Sequence, residues 1–147
     1  MNSASSNKES FNPLKRLWRS VLLANSLSIN TKTLIATGNA NSSVITDVLI
    51  RNTSTSSAVL FDVWIGANNT DSQNNRVQIS VPANAGNNGV VAIASLASLV
   101  PALFDNNIAG DRCIFLEDAT WQIWIENKAA LGASGACFVT VKQHDFS

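Results

Sequence analysis

Val44-Ile45-Thr46-Asp47-Val48-Leu49-Ile50-Arg51, the turn formers Asn52-Thr53-Ser54-Thr55-Ser56, and then Ala58-Val59-Leu60-Phe61-Asp62-Val63-Trp64-Ile65 make up the stretch on which the fold turns. Two runs rich in β-branched and aromatic residues flank a cluster of Asn, Ser and Thr, which is the pattern of two strands joined by a turn. In the second run Val59, Phe61, Val63 and Ile65 share one side of the pleat, while Asp62 and Trp64 share the other.

Outward from this pair the same period of two recurs. Strands are predicted at Leu34–Thr37, Val44–Arg51, Ala58–Ile65, Val77–Val81, Val90–Ala94, Cys113–Glu117, Trp121–Glu126 and Cys137–Lys142. Between them stand breakers such as Gly38-Asn39-Ala40-Asn41, Gly66-Ala67-Asn68-Asn69, Pro82-Ala83-Asn84-Ala85-Gly86 and Gly132-Ala133-Ser134-Gly135. About eight short strands with frequent turns imply an all-β antiparallel sandwich, jelly-roll or Greek-key like, whose strand order stays open. Trp121, Ile123 and Ile125, with Cys137, Val139 and Val141, are the expected core faces. Trp64, Trp124 and Phe138 then fall on the opposite faces, as a candidate exposed interface or as rings covered by the N-terminal segment. Ser95–Phe104 breaks the pattern and reads as an apolar loop or one helical turn before Pro101, with Leu96, Leu99, Val100 and Leu103 plugging one end of the sandwich.

The chain has 147 residues and a mass of 15.7 kDa, room for one core. It divides into a basic, partly apolar arm over residues 1–26 and a sandwich over 27–147. In the arm Phe11, Leu14, Leu17, Trp18, Val21 and Leu22 recur at three- and four-residue steps, with Lys15, Arg16 and Arg19 on the other side. Asn12 and Pro13 suit a helix start, so a short amphipathic helix is one expectation; an extended segment on another subunit is the second, and packing on the chain's own sandwich the third. Phe11, Leu14, Lys15, Arg16, Leu17, Trp18, Arg19 and Leu22 are the candidate partner-binding residues. Five cations against one acid through Lys32 give a net +4, which the rest of the chain balances with a net −4. Opposite signs on arm and body suit contact between copies, or with an acidic neighbour. Only 14% of residues are charged, well below the usual quarter, as in subunits whose surface is hidden in an assembly and equally in any β protein whose surface is covered by Asn, Ser, Thr and Ala.

Catalytic groups are sparse. The lone histidine, His144, lies in a stretch expected to fray, and Cys113 and Cys137 occupy apolar alternation sites that favour buried thiols, with a disulfide between late strands the alternative. Asp105 and Asp111 flank an Asn-rich loop and Glu117-Asp118 follow a strand, but turn capping explains such residues better than a calcium loop. Gly86-Asn87-Asn88-Gly89 lacks the following helix of a phosphate site. No enzyme, cofactor or metal is therefore expected, and neither a nucleic-acid partner nor a membrane partner. No secretory signal is visible at the start, so synthesis in a host cytoplasm is expected.

Lys15-Arg16-Leu17, Leu22-Leu23-Ala24, Thr33-Leu34-Ile35-Ala36, Val44 through Ser54, Ala58 through Val63 and the closing Ala136–Val141 resemble the small β-sandwich virion proteins of tailed phages. Ala36-Thr37-Gly38-Asn39 stands where those proteins carry Val-Pro-Ala before the first turn. The resemblance implies a non-enzymatic virion subunit. A capsid decoration or cement protein held by its N-terminal arm comes first, and a head, collar or tail fibre element or tail accessory subunit is the alternative. Its implied partners are other virion proteins, such as major capsid, collar or tail proteins, and further copies of itself, in a trimer for example. A carbohydrate-binding, receptor-recognising module using Trp64, Trp124 and the Asn-rich loops is the rival reading.

Overall fold

The computed structural model describes residues 13–67, 76–106, 112–131 and 135–146. Ten strands are described: β1 (Pro13–Leu23), β2 (Lys32–Thr37), β3 (Ser43–Asn52), β4 (Val59–Ala67), β5 (Val77–Val81), β6 (Ala94–Ser95), β7 (Asp105–Asn106), β8 (Arg112–Leu116), β9 (Trp121–Asn127) and β10 (Cys137–Phe146). A four-residue helix, α1 (Leu96–Leu99), and a 3-10 turn at Pro101–Leu103 follow β6. The strands form two antiparallel sheets, one in the order β1-β10-β3-β8-β7 with β6 also pairing β3, the other in the order β2-β9-β4-β5. First pairs with last, second with ninth, and third with eighth, so the described strands nest in a two-sheet antiparallel sandwich.

Alternation dictates the core. Ile45, Val48 and Ile50 of β3 and Cys137, Val139 and Val141 of β10 face Val59, Phe61 and Val63 of β4 and Ile123 and Ile125 of β9, all buried. Ile65 packs against the same cluster half-buried. Burying such side chains contributes about 1.5–3 kcal/mol each. Trp121, expected in the core, is instead at the exposed end of β9, because Ala67 at the end of β4 is the last residue paired over it.

Three other expectations change. The arm is not a helix in its described part: Leu23, Val21, Arg19 and Leu17 pair in register with Cys137, Val139, Val141 and Gln143, so residues 13–23 are a strand of the chain's own sheet. A lone helix of about twelve residues is marginal, whereas β10 offers a complete ladder of partners, and tertiary pairing overrides the helical spacing. The arm-to-sandwich boundary at residue 26 consequently does not separate two bodies. Val90–Ala94 contributes only Ala94 to a strand; Gly86 and Gly89 take positive φ and Val90 is almost fully exposed. The Ser95–Phe104 segment does form helical turns, burying Leu96, Val100 and Phe104 while Leu99 stays exposed. It is held by Asp47, whose carboxylate accepts from Ser95 Oγ at 2.7 Å and Ala97 N at 3.2 Å. Asp47 reaches it beside a bulge, where Asp47 pairs with Lys142 and Ile45 with Gln143, leaving Thr46 over.

Candidate interaction surface

The pairing that buries Leu23 and Val21 forces their neighbours outward. Leu22, Phe138 and Arg51 form one cross-strand row on the outer face of the six-stranded sheet, and Trp18, Lys142 and Asp47 form another. Between them runs Ser20–Thr140–Leu49, and beyond Trp18 the row of His144 and Val44 continues to Phe115 on β8. Strands lie about 4.8 Å apart, so these side chains make one surface. Trp18 is 62% exposed, Leu22 57%, Phe115 53% and Phe138 37%. Two cations sit over its rings: the Arg51 guanidinium 4.7 Å from the Phe138 centroid and Lys142 Nζ 5.1 Å from that of Trp18. Large apolar side chains ringed by cations are the composition of a protein-binding patch.

Of the residues singled out from sequence, Trp18, Leu22 and Phe138 thus come together. Arg19 is exposed on the other side of β1, where with Val21, Leu34 and Ile35 it lines a groove of about 380 Å³ between the two edge strands β1 and β2. Leu17 is half-buried. Leu14, Lys15 and Arg16 are strand residues of β1, and Phe11 lies outside the described residues.

Trp64 and Trp124 are elsewhere, on the outer face of the four-stranded sheet, and Trp64 is not exposed at all. Its ring stacks on Trp124 at 6.5 Å and 12°, and the Arg76 guanidinium caps it at 4.3 Å. Beside this stack lies an ion-pair network. Glu126, 3% exposed, takes Arg76 at 2.9 Å and Lys128 at 2.8 Å, and Asp62 lies 3.4 Å from Arg76 and 3.9 Å from Lys128. Burial alone would raise the Glu126 pKa, but the hydrogen bonds and charges of Lys128 and Arg76 outweigh it and hold the carboxyl below its ordinary value. Asn30, Lys32, Asp62, Arg76, Gln78, Glu126 and Lys128 line a depression of about 500 Å³.

The remaining chemical candidates are structural in their surroundings. His144 does not fray: it pairs with Arg16 on one side and Val44 on the other. Cys113 and Cys137 are both buried, and burial raises the Cys137 pKa to about 11. Asp118 accepts from Thr120 N at 2.7 Å and Thr120 Oγ1 at 2.6 Å, a turn contact that lowers its pKa. Asp105 is exposed, and Asp111 lies outside the described residues. Among the described residues no three His, Cys, Asp or Glu side chains group as a metal site, and no helix is long and apolar enough to cross a membrane.

Sequence reading missed Arg51, Lys142 and Phe115 as parts of the patch, and missed the Asp62–Arg76–Glu126–Lys128 network. Alternation in each strand was visible, but which strands lie side by side was not. No protein-family model matches the chain, and no curated protein is similar to it.

Proposed function

We propose that this chain is a non-enzymatic structural subunit of a phage particle, a capsid decoration or cement protein, which attaches through the outer face of its six-stranded sheet. The observation that carries the reading is the surface of Trp18, Leu22, Phe115 and Phe138, exposed on a sandwich that already has a closed core. The likeness to small virion proteins supplies the particle, and the low charge content fits a surface hidden in an assembly. Attachment by a freestanding arm is replaced by attachment through a face, because residues 13–23 are committed to the chain's own sheet. Trp18 and Leu22 remain contact residues, with Phe138 beside Leu22. Burial of each large side chain against a neighbour would contribute roughly 2 kcal/mol, enough for four of them to hold a multivalent subunit in place.

The test is co-sedimentation. Wild-type protein is expected to band with intact particles in a density gradient, while a folded Trp18→Ser/Leu22→Ser/Phe138→Ser variant stays at the top. Equal banding of both, or of neither, contradicts the reading.

A further inference from the structure

We propose that the charged depression on the outer face of the four-stranded sheet binds a saccharide, a site independent of the attachment face on the other sheet. Its walls come from five parts of the chain: Asn30 before β2, Lys32 in β2, Asp62 in β4, Arg76 and Gln78 at the start of β5, and Glu126 and Lys128 at the end of β9. The volume, about 500 Å³, lies within the range of small-ligand sites.

The side chains are those that recognise hydroxyl groups. A vicinal diol donates and accepts at once, so it needs carboxylate or amide acceptors beside ammonium, guanidinium or amide donors. Here the two kinds alternate and fix one another. Lys128 Nζ donates to Glu126 Oε1 at 2.8 Å and to Asn30 Oδ1 at 2.7 Å; Gln78 Nε2 donates to Asp62 Oδ1 at 3.4 Å. The Glu126 side chain is only 4% exposed and Arg76 only 12%, so these two stand in place before a ligand arrives and add little ordering cost on binding, with Asn30, Lys32 and Gln78 exposed around them.

Simple ions fit worse. Asp62 and Glu126 already balance Arg76 and Lys128, so an inorganic anion would have to displace a carboxylate and a metal ion would have to displace a cation. Lys32, with Nζ 6.0 Å from the Trp64 ring, adds a third cation to the lining, so the array carries carboxylated as well as neutral sugars.

The full chain is applied to a glycan array carrying neutral and carboxylated saccharides, and retained glycans are titrated calorimetrically. The expected result is saturable binding, weakened roughly tenfold by Gln78→Ala at unchanged thermal midpoint and by Asn30→Gly, glycine keeping the left-handed backbone (φ 64°) of that position. Trp18→Ser/Leu22→Ser leaves the affinity as it was, which separates this site from the attachment face. Preference between the two arms of the array tells whether the Lys32 charge is used. Retention of no glycan, or affinity unchanged in both depression variants, overturns the proposal.

Discussion

Asn52 is buried at the end of β3 and uses its whole amide. Its Nδ2 donates to Ser57 O and Pro82 O, each at 3.0 Å, and its Oδ1 accepts from Ser54 N at 2.9 Å. The Asn-Thr-Ser element read from sequence as a turn therefore ties two loops to one strand end. Asn52→Ala leaves these groups without partners and is expected to cost about 2–4 kcal/mol in urea unfolding, against less than 0.5 kcal/mol for the exposed Asn87→Ala. Glu126 gives a pH signature. Its folded-state pKa lies below the ordinary 4.5, so its contribution to stability is complete above pH 4.5 and is lost as the pH falls through the folded value. Thermal unfolding of Glu126→Gln should show a deficit of order 2 kcal/mol at neutral pH that narrows below pH 4.5; a deficit constant with pH would contradict the ion-pair account. Residue identity was legible in both cases, but the partners were not, because they come from distant segments.

Elements were most legible where alternation was strong. The strands around Val44–Arg51, Ala58–Ile65 and Val77–Val81 stand close to where β-branched periodicity puts them. The segment before residue 24 was ambiguous for a physical reason: Leu17, Trp18, Val21 and Leu22 satisfy a helical stripe, while Leu17, Val21 and Leu23 against Trp18, Ser20 and Leu22 satisfy a strand. Pairing with β10 settles it, and the pairing has a consequence for truncation. Removing residues 1–24 strips the ladder from one side of β10 and uncovers Val139 and Val141, so the product should be insoluble or unfolded by circular dichroism. A soluble, cooperatively folding product would return the segment to the status of a detachable arm.

At the scale of the whole molecule the two outer sheet faces differ in character. One presents Trp18, Leu22, Phe115 and Phe138 with cations above two of the rings; the other encloses Trp64 beneath Arg76 beside a charged depression. The sandwich class was legible from composition and period, but this division was not. It depends on strand order, which sets which outward rows become neighbours and left Phe138 beside Leu22 rather than beside Trp64. The most direct measurement of the central claim is a cryo-electron reconstruction of the assembled particle at side-chain detail. The account predicts density for this fold on the particle with Trp18, Leu22 and Phe138 buried against a neighbouring subunit. Density with that face turned to solvent, or a particle without this chain, would contradict it.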